Sequence, residues 1–243
     1  NKNMRGAAET IEKALQKYPD DLQVLLAACS LASSTGEKLG GKSAGELAKE
    51  ILAVESENQT ALEISIKDLM ESNKWQEAYS LSKKIVEKAE SSLESKHTHV
   101  TICLSLGRTD EAWLLAQELY EKYPSEELAL QSYLEILYAQ NKRAESLQLI
   151  ERLLPSATSR LKSFLYYRRS FLQSGEQAVL ADLRSSLIAN SRNEDSLFRL
   201  YSIYFEKKDY RRAQYYLKQV VALHPSNSDL LKRNTELEQL ISR

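Results

Sequence analysis

The 243-residue sequence predicts an all-α protein built from stacked antiparallel helix pairs and finished by one further helix. Three observations predict it. Only four prolines and seven glycines occur; both are costly inside a helix, so their scarcity favours long helices joined by short turns. Apolar and small residues recur at steps of three and four, as in Tyr210, Ala213, Leu217 and Val220, which is the beat of one helix face. Finally, a small residue followed twelve positions later by proline returns along the chain: Ala7 with Pro19, Ala112 with Pro124, Ala213 with Pro225. Ala78, Ala112 and Ser146 stand 34 residues apart, and a fixed period of this size marks a repeat architecture.

The helix ahead of each small residue repeats as well. Upstream of Ala213 come Leu197, Leu200, Tyr204 and Tyr210; one copy earlier come Phe164, Tyr167, Phe171 and Gly175. With Ala213 counted as position 20, these fall at positions 4, 7, 11 and 15 or 17 of a common unit. The pattern resembles the tetratricopeptide repeat, with a large apolar residue at 4, Leu at 7, Tyr at 11, Ala at 20, Phe at 24 and Pro at 32. The resemblance covers essentially the whole chain. It implies a right-handed superhelical solenoid in which alanine at 20 lets two helices cross closely, large residues fill the seam, and proline ends the second helix. One pair cannot bury its own apolar faces, so neighbours must stack.

Taken in order, residues 1–21 supply the second helix of a first repeat. Repeats follow at 22–58, 59–92, 93–126, 127–160, 161–193 and 194–227, and residues 228–243 form a last helix with Leu231, Leu237, Leu240 and Ile241 on one side. The whole is expected to be a single domain. The second repeat carries about three extra residues in the loop "GEKLGGKS" (36–43). The sixth departs from the pattern: Leu180 replaces alanine at position 20, and neither the aromatic at 17 nor the closing proline is present.

Composition narrows the function. The chain is 42% hydrophobic and 28% charged with net charge −1, which argues against a globally basic nucleic-acid binder. No apolar run is long enough to span a membrane, so direct membrane insertion is not expected. Charge is polarised: residues 161–243 hold 14 Lys/Arg against 9 Asp/Glu, whereas residues 1–160 hold 19 against 25. Cys29 and Cys103 lie far apart on apolar helix faces and read as buried thiols. His97 and His99 are two apart and point to different helix faces, and no cysteine pair has zinc spacing. No phosphate loop or nucleophile elbow is present. No catalytic residue, metal or cofactor is therefore expected, and the chain reads as a non-enzyme.

The resemblance implies a concave groove lined by the first helix of each pair, at positions 2, 5, 6, 9, 12 and 13. In the sixth copy these are Lys162, Leu165, Tyr166, Arg169, Leu172 and Gln173. The expected groove residues are Tyr138, Lys162, Tyr166, Arg169, Phe198, Arg199, Ser202 and Phe205, an aromatic and basic set suited to an extended acidic segment of a protein or peptide partner. The Lys and Asn pattern with which some repeats of this family clamp a C-terminal carboxylate is missing, since Glu63, Lys67, Thr98, Gln131, Glu135 and Tyr166 occupy its places. An alternative is assembly: Ala7, Ile11, Ala14 and Leu15 belong to a helix whose usual partner would lie upstream, and an open apolar edge there invites self-association or marks a piece of a longer repeat protein. The basic cluster between Lys207 and Lys218 reads as a solvated helix face.

Overall fold

Pairs of helices of 11–16 residues follow one another from end to end of the computed structural model, which describes residues 2–88, 90–225 and 227–242. In chain order they are α1 (Lys2–Lys17), α2 (Leu22–Thr35), α3 (Ala44–Val54), α4 (Gln59–Glu71), α5 (Trp75–Val86), α6 (Leu93–Ser105), α7 (Thr109–Lys122), α8 (Glu127–Ala139), α9 (Arg143–Leu153), α10 (Ser159–Ser170), α11 (Glu176–Ala189), α12 (Glu194–Glu206), α13 (Tyr210–Leu223) and α14 (Ser228–Ile241). They gather into two compact units, Asn1–Ala139 with α1 to α8 and Gln140–Arg243 with α9 to α14. Among the described residues no helix is long and apolar enough to cross a membrane.

Helices α2, α3, α4, α6, α10, α12, α13 and α14 begin where a short polar side chain binds free backbone N–H groups. Asp21 accepts from Gln23 and Val24, and Asn58 from Ala61. Ser43 and Glu46 form a reciprocal capping box at α3. Ser92, Thr158, Asn193 and Asn227 do the same work for α6, α10, α12 and α14.

In the first unit each helix packs on the next. Ala28, Cys29, Leu47, Ile51 and Ala61 form one buried cluster, joined by Ile11 and Leu15 of α1. Ile66, Ala78, Ile102, Ala112, Ala116, Leu119 and Ala129 form another. Ala78 and Ala112 have no exposed surface, as close helix crossing at these positions requires. Ala7 is exposed instead, and Ala8 turns toward the core. The extra loop 36–43 closes on itself: the backbone N–H groups of Leu39 and Lys42 each donate to the other's carbonyl at 3.0 Å. Gly40 and Gly41, at φ 57° and 78°, supply the left-handed turn, and Leu39 drops into the core.

In the second unit the core holds Leu183, Leu197, Leu200, Tyr204, Ala213, Leu217 and Val220, with Leu230 and Leu237 from α14. The last helix packs through Leu237, Leu240 and Ile241 as expected, but Leu230 is inside in place of Leu231, which is 44% exposed. A step of seven from Leu230 to Leu237 keeps both on one stripe. Leu180 is only half-buried. The close approach of α10 and α11 is made by serines: Ser163 and Ser186 lie 3.0 Å apart through their hydroxyls, and Ser196 donates to Ser186 at 2.7 Å. Small side chains with satisfied hydroxyls replace the missing alanine.

Candidate functional site

Tyr138 lies in the last turn of α8 in the first unit and is 62% exposed. The other seven expected groove residues lie in the second unit, on α10 and α12. Lys162 and Ser202 are half-buried. Tyr166 lies beneath Arg169, whose guanidinium carbon is 5.1 Å from the ring centroid. Phe198 meets Tyr201 edge-on at 5.8 Å, and Tyr201 meets Phe205 at 5.7 Å. Phe205 is exposed and in turn meets Tyr210, with ring centroids 5.7 Å apart.

The two arginines differ. Arg169 Nε lies 3.1 Å from both carboxylate oxygens of Asp182, and its Nη2 lies 2.6 Å from Oδ1. Asp182 is buried on α11 and also accepts from Gln173 at 2.8 Å. This is a two-pronged bond inside one helix pair. Arg199 lies over the Phe171 ring, its guanidinium carbon 3.5 Å from the centroid, and donates to Ser170 Oγ at 2.5 Å and to the Ser170 carbonyl at 3.4 Å. That contact spans α10 and α12 and keeps one guanidinium face on an aromatic ring.

Two further groove positions, Leu165 and Leu172, are buried rather than displayed, because they supply apolar area to a helix whose seam is otherwise poor in it. Phe171 moves the other way. Its repeat position predicts the seam, yet it is exposed, with Tyr167 meeting it edge-on at 5.1 Å. Neighbouring tyrosines carry the signal for this: Tyr167 takes the seam and leaves Phe171, four residues on, at the rim.

Three residues of the basic cluster at 207–218 meet carboxylates. Lys207 meets Glu176, Arg212 meets Asp209 at 3.4 Å, and Lys218 meets Glu238 at 3.4 Å. Pairs as exposed as these contribute little to stability or recognition.

A polar network that single-residue reading misses sits in the first unit, among α5, α6 and α7. His99 is buried and stacks on Tyr79 at 5.3 Å. Its Nδ1 lies 2.8 Å from Ser82 Oγ, and its Nε2 lies 3.3 Å from Glu111 Oε1. The Tyr79 hydroxyl donates to Glu111 at 3.0 and 3.1 Å. Burial holds His99 below the usual imidazole range, with the bond to Glu111 acting the other way. Burial also opposes ionisation of Glu111, but hydrogen bonds from Tyr79 and His99 and the nearby Arg108 carry its carboxyl below the usual range. Cys103 follows His99 by one helical turn on α6; the spacing His99 to Cys103 is the sequence signal that comparing histidines or cysteines only with one another passes over.

No family model matches the chain, and no curated protein matches it. Solved structures do. A tetratricopeptide repeat protein from Parabacteroides merdae ATCC 43184 matches 99% of this chain and 78% of its own, with TM-score 0.58 at 16% identity. Yeast Tom70 matches 99% of this chain at TM-score 0.53 and 14% identity, and the chain spans 59% of its length. The APC/C hetero-tetramer Cut9–Hcn1 matches 95% at TM-score 0.54 and 14% identity, with 46% of that chain covered. The class is thereby defined: the fold is the tetratricopeptide-repeat fold. At these identities the likeness establishes the fold alone.

Proposed function

We propose that the protein is a non-catalytic scaffold that binds an extended, acidic segment of a protein or peptide partner on the α10–α12 face of its second unit. The observation that carries this reading is the Arg199–Phe171 stack beside the ring row Phe198, Tyr201 and Phe205. Arg199 is held in place by the Phe171 ring and by Ser170, so a carboxylate of the partner would meet a guanidinium already oriented by its neighbours. Exposed Phe171 and Phe205 add rigid apolar area, the usual source of hot-spot binding energy. The positive balance of residues 161–243 favours an acidic partner. Arg169 belongs to this face but spends its charge on Asp182, so it acts as a rim contact through Tyr166.

The test is an arrayed library of extended acidic, neutral and basic peptides, read by fluorescence anisotropy. Acidic sequences are expected to bind best. Phe205→Ala and Arg199→Gln should each weaken the best binder about 10-fold or more, as loss of a hot-spot contact does. No preference for acidic peptides, or unchanged affinity in both variants, would overturn the assignment.

A further inference from the structure

We propose that His99, Cys103 and Glu111 form a transition-metal site in the first unit, with zinc the ion that fits it. Their ligand atoms, one nitrogen, one thiol sulfur and one carboxylate oxygen, all lie within 4.8 Å of one another. A tetrahedral zinc centre with bonds of about 2.0–2.3 Å sets its ligands roughly 3.3–3.7 Å apart. Small side-chain rotations close that difference. His99 and Cys103 are four apart on α6, so one helix face presents both. Glu111 comes from the first turn of α7.

The surroundings are those of a held ligand set. The Ser82 hydroxyl has one hydrogen. Its oxygen lies 3.1 Å from the Tyr79 carbonyl, to which it donates. With no ion bound, Nε2–H donates to Glu111 Oε1 at 3.3 Å; with an ion in place of that proton, the hydrogen moves to Nδ1, which donates to Ser82 Oγ at 2.8 Å. A lone pair facing a carboxylate needs a proton or a cation between them. A metal ion satisfies both and leaves every hydrogen bond of Ser82 in place. An orienting hydrogen bond on the far ring nitrogen is also what metal-bound histidines use.

Glu111 is arranged the same way. Arg108 lies 3.7 Å from its Oε2, and Tyr79 donates to both oxygens. The carboxylate is anchored from one side while Oε1 faces His99. Thiolate and carboxylate together neutralise a divalent ion, which a buried site requires. Imidazole with thiolate selects zinc over magnesium or calcium. Glu111 is 38% exposed at its side chain, giving the ion a route to an otherwise closed site. Three protein ligands leave a fourth position for water.

The full chain, stripped with chelator and desalted, is titrated with zinc and separately with cobalt(II). Expected are one tightly held equivalent of zinc and a thiolate-to-cobalt charge-transfer band in the near ultraviolet. The band should persist in Cys29→Ser. It should vanish in Cys103→Ser, and Glu111→Gln should weaken zinc binding by about 10-fold or more. If Cys103→Ser does not fold by circular dichroism, the band in Cys29→Ser still assigns the thiolate, because the chain has two cysteines. No band in the unaltered chain, or a band lost in Cys29→Ser and kept in folded Cys103→Ser, overturns the proposal.

Discussion

Arg169 and Asp182 form a fork of three contacts between α10 and α11, and the carboxylate end is the buried one: its side chain is 4% exposed against 23% for the arginine. The asymmetry has a measurable consequence. Removing Arg169 leaves a buried carboxylate with Gln173 as its remaining bond, whereas removing Asp182 leaves a cation that still reaches water. Arg169→Ala should therefore cost more than Asp182→Ala, about 3–5 against about 1–3 kcal/mol. Urea melts of both variants check the order; equal costs would mean that water reaches Asp182.

The buried alanines predict a steric limit. Ala78, Ala112 and Ala213 have no exposed surface where two helices cross. Ala213→Leu should cost about 1–3 kcal/mol through overpacking. Ala181→Leu, on the exposed side of α11, should change stability by less than about 0.5 kcal/mol. Thermal denaturation of the pair separates close packing from a general intolerance of leucine.

The turns inside the pairs share one backbone state. Asn73, Gly107 and Asn141, each 34 residues after the last, have φ of 56°, 72° and 58°, and Lys208 repeats the conformation at 60°. Lysine has a Cβ that crowds the left-handed region, so Lys208→Gly is expected to stabilise by about 0.5–1 kcal/mol. Gly107→Val should destabilise by about 1–2 kcal/mol or more. Chemical denaturation midpoints report both signs.

The thiols predict silence followed by exposure. Burial pushes Cys29 up to about 11 and Cys103, next to Glu111 as well, up to about 12. Neither should react with a thiol reagent at pH 8 in the folded protein, and both should react in denaturant. Linkage gives the sign. Between the ordinary thiol value of 9.0 and about 11, an unfolded Cys29 ionises while the folded one stays protonated. Stability should therefore fall as pH rises through that window. Metal-free protein in a pH series of melts is the measurement; a flat profile would show the thiol to be hydrated.

How much of this was legible beforehand follows from what each feature depends on. Close-crossing alanines, turn positions and helix ends are set by neighbours in the chain, and the 34-residue period exposes them directly: Ala78, Ala112 and Ala213 are buried where their phase places them. The face of a helix shifts with one residue of register, so the pattern could not tell Leu230 from Leu231, or Leu165 and Leu172 from displayed groove residues. The repeat phase predicts Phe171 inward, and it lies outward because Tyr167 fills the seam first.

The sequence by itself determined an all-α repeat of helix pairs, because periodicity and the rarity of helix breakers are local properties that each segment carries alone. The tertiary structure alone decided what each charge meets. Arg169 and Arg199 are equivalent groove arginines in sequence, yet one meets a buried carboxylate thirteen residues away and the other an aromatic ring on another helix. It also brought Glu111 to His99 and Cys103. Such pairings depend on how one helix lies against the next. Packing free energy settles that within each unit, and no single stretch of sequence contains it.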